Sequence, residues 1–139
     1  MAKTSKKKAS ARQLAVAAAR LAHDRHCEDI VVLDLRGVSP VTDYFVICTG
    51  TSDVQMRAVG EEIADSAAKA GQKVYHVAGR DSARWVLLDF VDVVVHIFDD
   101  EHRGYYDLEL IWGDAPRVRW PRRGGASRAV GGDENERRE

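Results

Sequence analysis

Gly50-Thr51-Ser52, where a run of apolar residues gives way to helical spacing, is the part of this chain nearest to a phosphate cradle. Exposed N–H groups at a helix start favour an anion. The same three residues serve equally well as a turn followed by a helix cap. A strand, a Gly-x-Ser turn and a helix also fit nucleotidyl transfer. That chemistry requires two clustered carboxylates holding metal ions, usually as Asp-x-Asp on a following strand. No such pair follows Ser52 on a strand, and Asp89 and Asp92 are offset by three. On one continuous strand that offset sends them to opposite faces. Neither a Gly-x-x-x-x-Gly-Lys phosphate loop nor a Gly-x-Gly-x-x-Gly fingerprint occurs.

The histidines and cysteines are the other candidates. His23, His26 and Cys27 fall together at the end of the first helical pattern. Zinc would want more thiolates at the usual spacing, so a solvated helix end is the simpler reading. His96 stands in an otherwise apolar run and shares a strand face with Asp92 and Val94. It is either a core histidine hydrogen-bonded to a neighbour or a polar spot on an interaction face. No serine or cysteine is placed with it as a nucleophile. Two cysteines make no disulfide framework, and Cys48 reads as a small buried hydrophobe. The residues therefore predict no catalytic group, no metal site and no cofactor.

The elements that position these groups centre on Trp85–Phe98, the longest apolar run, broken by two aspartates and one histidine. Its Val, Ile, Phe and Trp content favours strands. Fourteen residues is long for one strand, so the run reads as two, about 84–90 and 92–98, with a break at Asp89 to Asp92. Before it, Ser10 caps a helix over roughly 11–26, with Leu14, Ala17, Ala18, Leu21 and Ala22 in a stripe. Strands follow over Ile30–Leu35 and Asp43–Thr49. Ser52 and Gln55 match a capping box for a second helix, which offers Val54, Ala58, Ile63, Ala67 and Ala70 to the core and stops at Gly71. Lys73–Ala78 reads as a strand, and Asp99 or Asp100 caps a last helix near 101–112 carrying Tyr105, Leu108, Ile111 and Trp112. The fold class is α/β or α+β with a mixed five-stranded sheet flanked by helices. The link between 30–36 and 43–49 is too short for a parallel crossover, so some pairing is antiparallel. One domain is expected over residues 10–120, between a disordered basic stretch at 1–9 and a disordered charged tail at 121–139.

Composition adds bounds. The chain has 139 residues, 45% apolar and 31% charged, which suits one soluble core. No apolar run approaches the roughly 20 residues of a membrane helix, and the lysine-rich start lacks the apolar segment of a secretory signal. A cytoplasmic protein is expected. The formal charge of −1 conceals a segregation: residues 13–115 hold nine Lys and Arg against eighteen Asp and Glu, while both ends are basic. An acidic body argues against gripping a phosphate backbone and is compatible with docking on a basic protein.

Five stretches carry a family resemblance: Asp29–Leu35, Thr42–Ser52, Trp85–Asp89, Asp92–Phe98 and Arg103–Trp112. Together, in order and at these spacings, they resemble the ribosomal silencing factor family, also called Iojap-like, over about 11–114. The resemblance implies a nucleotidyltransferase-like core without its catalytic carboxylates. It implies a binding protein that docks on the large ribosomal subunit through large-subunit ribosomal protein fourteen and blocks joining of the small subunit, so that translation falls under nutrient limitation. It also implies a homodimer when free. The basic tail is a candidate for ribosomal RNA contact. The family usually has Glu-Gly before the Trp strand and Gly between the two central strands, where this chain has Ala78-Gly79 and Val91. The competing reading is a small nucleotide-binding or nucleotidyl-transferring enzyme.

Alternation along 85–90 sends Trp85, Leu87 and Asp89 to one side and Val86, Leu88 and Phe90 to the other. The second set is wholly apolar and should face the helices. The first set ends in a carboxylate, costly to bury unpaired, and offers two apolar anchors and one charge to a partner. On the resemblance, Asp43 and Tyr44 extend that surface.

Overall fold

The computed structural model of the chain describes residues 9–106 and 111–120. Helix α1 spans Ala11–Asp24. Strands β1 (Glu28–Asp34) and β2 (Tyr44–Thr49) follow, then helix α2 (Asp53–Lys69), strands β3 (His76–Ala78), β4 (Trp85–Asp89) and β5 (Val93–Phe98), and helix α3 (Asp100–Tyr106). Among the described residues the five strands form one mixed sheet in the order β1-β2-β5-β4-β3. The pairs β1–β2, β5–β4 and β4–β3 are antiparallel, and β2–β5 is parallel. The expected mixed five-stranded sheet is thus present. The expected disordered stretches at 1–9 and 121–139 lie outside the described residues except for Ala9, whose N–H donates to Ala70 C=O at 2.9 Å.

The caps explain where the helices begin. The Ser10 hydroxyl accepts from Gln13 N–H at 3.1 Å, and Gln13 Oε1 accepts from Ser10 N–H at 2.9 Å, a reciprocal box. α1 ends two residues short of the expected 26, because His26 turns to φ 73 and leads the chain into β1. At α2 the Ser52 hydroxyl accepts from Gln55 N–H at 3.0 Å. Gln55 Oε1 reaches back to Thr51 N–H at 2.7 Å rather than to Ser52. Gly71, at φ 86, stops α2 as expected. Asp99 is the cap of α3, its Oδ1 accepting from His102 N–H at 2.8 Å.

Both long helices pack on one face of the sheet. Leu14, Ala15, Ala18, Ala19 and Ala22 of α1 and Met56, Val59, Ile63 and Ala67 of α2 close over Val32, Val46, Cys48, Val86, Leu88, Val93, Val95 and Ile97. The buried face of α2 differs from the expected one. Ile63 and Ala67 are buried, but Val54 is 72% exposed and Met56, Val59 and Gly60 take the core positions. Gly60 brings the α2 backbone close to the sheet: a Cβ there would stand 3.4 Å from Val86 Cγ1.

The other face is covered only on one side. Leu33, Leu35, Ile47, Phe98 and Ala115 form a second cluster, flanked by Val31, Phe45, Trp85 and Trp112. The 116–118 segment closes the β1 edge: Pro116 C=O accepts from Asp34 N–H and Val118 N–H donates to Val32 C=O, both at 2.8 Å. β3 is shorter than the expected 73–78: its partner β4 ends at Asp89, opposite His76, and Tyr75 N–H donates to Asp89 C=O at 2.8 Å just before the strand begins. Of the last helix, 107–110 lie outside the described residues. Ile111 is 68% exposed.

Candidate functional site

Two concavities bear on function. The first is the polar cavity at the strand-to-helix junction, about 410 Å³, lined by Gly50, Thr51, Ser52 and Asp53 on one side and Arg84, Asp99, Asp100 and Glu101 on another. Cap interactions take up two donors at this helix start: Thr51 N–H and Gln55 N–H are both satisfied by side chains. Gly50 is small for packing reasons, since a Cβ would fall 2.1 Å from Met56 Cγ. Four carboxylates around the opening repel a phosphate. Among the described residues no three His, Cys, Asp or Glu side chains converge to hold a metal ion. The turn-and-cap reading of Gly50-Thr51-Ser52 accounts for this geometry.

The second concavity lies on the uncovered part of the sheet. It is an open hollow of about 690 Å³ whose lining includes Phe45, Leu87, Asp89, Val94, His96 and Trp112. β4 supplies its wall by strict alternation: Val86 and Leu88 are buried under the helices, while Trp85, Leu87 and Asp89 are half-buried on the other face. Large apolar side chains stand around the hollow in solvent, with Val41 78%, Tyr75 76% and Val91 53% exposed. An exposed apolar patch with a polar rim marks an interaction surface.

The hollow rests on aromatic rings. Trp85 stacks on Phe98, centroids 5.0 Å apart, and Phe45 meets His96 edge-on at 4.5 Å and Trp112 at 6.1 Å. His96 is 4% exposed. Trp85 Nε1–H donates to its Nδ1 at 3.1 Å. Burial pushes the imidazole down to about 4, so the ring is neutral at neutral pH. The first reading of His96 holds, a buried histidine hydrogen-bonded to a neighbour, and the ring also lines the hollow.

The sequence-derived site residues separate in space. Trp85, Leu87 and Asp89 share the uncovered face. Asp43 is half-buried at the entry of β2, its N–H donating to Asp92 C=O at 3.0 Å, beside Val41 and Thr42 of the rim. Tyr44 lies elsewhere: it is 2% exposed within the helix-side core. Its ring sits 5.4 Å below the Arg36 guanidinium, which is ion-paired with Asp34. Tyr44 immediately follows Asp43, so strand alternation sends it to the helix side. Sequence reasoning missed Val41, Thr42, Tyr75 and Trp112, which come to the hollow from three distant stretches.

The first departure from the family pattern, Ala78, is the last residue of β3 and pairs with Leu87. Gly79, which keeps the pattern, lies at φ 82 so close to β4 that a Cβ would fall 1.9 Å from the Trp85 carbonyl oxygen. Val91 holds φ 78 in the β4–β5 turn, a conformation β-branched residues rarely adopt. Its side chain projects onto the rim of the hollow.

These features define an α+β protein with its two long helices on one sheet face and a partly uncovered, mostly apolar second face. A family model described as "Ribosomal silencing factor during starvation" matches residues 8–139, and the chain belongs to that family. A ribosomal silencing factor of Bacillus subtilis is 52% identical over 99 residues, covering 71% of this chain and 84% of the relative. The chloroplastic Iojap protein of Zea mays is 36% identical over 107 residues, covering 77% of this chain and 46% of that protein. A crystal structure from Chromobacterium violaceum superposes with a TM-score of 0.72 at 28% identity, covering 88% of this chain and 94% of that one.

Proposed function

We propose that this protein silences ribosomes by docking its uncovered sheet face on the large ribosomal subunit, against large-subunit ribosomal protein fourteen. Occupying that site blocks association with the small subunit and represses translation under nutrient limitation. The protein acts in the cytoplasm as a binding protein, needing no cofactor, and is a homodimer when free. Its basic ends contact ribosomal RNA.

The observation that carries this reading is the hollow beside β4. Half-buried Leu87 and the Asp89 carboxylate line it, with exposed Val41, Tyr75 and Val91 around them, and half-buried Trp85 stands further along the same face of β4. Apolar anchors at the centre with charge for register are what a protein partner needs. The acidic balance of residues 13–115 complements a basic ribosomal protein. Co-sedimentation with separated subunits tests the reading. The protein should pellet with large subunits and stay in the supernatant with small ones. Equal recovery with both, or with neither, would refute it.

A further inference from the structure

The floor of the hollow holds two polar atoms that the folded chain leaves unmatched. Among the described residues, His96 Nε2 and Thr42 Oγ1 are closed to solvent and have no hydrogen-bond partner. Both residues line the same hollow. A buried polar group without a partner is uncommon in native proteins.

The chemistry of the unmatched atom follows from its neighbour. An indole nitrogen can only donate. Trp85 Nε1–H points at His96 Nδ1 at 3.1 Å, so Nδ1 must offer its lone pair. A neutral imidazole carries one proton, which is then on Nε2. Burial keeps the ring neutral. His96 thus presents an N–H donor, fixed in tautomer by Trp85, in a hollow whose lining is mostly apolar. Thr42 adds a hydroxyl. Asp89 lines the same hollow, and its charge disfavours a carboxylate as the incoming acceptor.

We infer that the docked partner places an uncharged oxygen, of the peptide-carbonyl kind, against His96 Nε2–H, making His96 a specificity-determining residue of this face. This rests on the docking reading above. Because Nε2 is closed to solvent in the free protein, the oxygen arrives together with a shift of an apolar side chain lining the hollow. Trp85 then has two tasks: it is an apolar anchor, and it positions the histidine proton.

Nitrogen-15 NMR of the imidazole tests the inference, first on the free protein and then with isolated large-subunit ribosomal protein fourteen. The free ring should show the Nε2–H tautomer, and the Nε2–H proton should move downfield on complex formation. His96→Phe keeps a ring of similar size and removes the donor, and should weaken binding to that protein about tenfold, the size of one hydrogen bond. An Nδ1–H tautomer in the free protein would overturn the inference. So would an unmoved Nε2–H resonance, or equal affinity of His96→Phe, while the unaltered protein binds. If the unaltered protein does not bind at all, the docking reading fails and the inference falls with it.

Discussion

Trp85 and His96 meet diagonally across the β4–β5 pair, the indole N–H donating to Nδ1 at 3.1 Å, although the residues directly opposite them are Phe98 and Leu87. This one contact ties a half-buried anchor to a buried titratable ring. It joins the stability of the sheet to the chemistry of its uncovered face.

That ring should make stability depend on pH. An unfolded chain protonates His96 near 6.5, whereas the folded one resists until about 4. Below 6.5 the unfolded state binds more protons, so stability falls as pH drops towards 4 and the contribution is constant above 6.5. The loss at the acid end is roughly 3 kcal/mol. Urea unfolding across this window should show a shallower decline for His96→Phe than for the unaltered protein. Parallel profiles would show that other groups carry the acid sensitivity.

Val91 should be a strained position. A non-glycine residue in the left-handed region costs about 1–2 kcal/mol, and Val91 holds φ 78. Val91→Gly should raise stability by about 1 kcal/mol, after the entropy of glycine is discounted. The same change removes an apolar side chain from the rim, so large-subunit affinity should fall. Melting and co-sedimentation on one variant read the two effects separately.

The two sides of β4 should respond in opposite ways. Leu88 is 2% exposed, and Leu88→Ala should cost about 2–5 kcal/mol of stability with little direct effect on docking. Trp85→Ala should weaken large-subunit binding by about 2 kcal/mol or more. It should also lower stability modestly, through the lost stack on Phe98. Thermal melting beside subunit co-sedimentation would reveal a reversed strand if the effects exchanged.

Ser52 separates capping from catalysis. Ser52→Ala removes the acceptor for Gln55 N–H and should cost about 1 kcal/mol of stability. Subunit binding should be unchanged. Micromolar binding of a nucleoside triphosphate with Mg²⁺ to the unaltered protein, lost in Ser52→Ala, would instead support the enzyme reading.

Much of this was legible in the residues. Strand alternation alone put Val86 and Leu88 inward and Trp85 and Leu87 outward, because one wrong phase would have buried Asp89 among the helices. The phase of α2 was not legible. Gly60 carries no hydrophobic signal, yet it is buried on the side of α2 that faces Val86 of the sheet. Tyr44 was misplaced for a related reason: a motif groups neighbours in sequence, whereas a strand separates them by face. The rim of the hollow depends on loops folding back from 39–42, 75 and 112, and no local pattern encodes such a meeting.

The central claim is that the uncovered face keeps the subunits apart. Separated subunits can be mixed under associating conditions and resolved on a sucrose gradient, with the protein or with its Leu87→Asp variant. Leu87 is half-buried on that face, and a charge there should spoil docking while sparing the helix-side core. The account predicts separate subunit peaks with the unaltered protein, which travels with the large one, and a joined particle with Leu87→Asp. A joined particle in the presence of saturating unaltered protein, or equal inhibition by a folded Leu87→Asp variant, would contradict it.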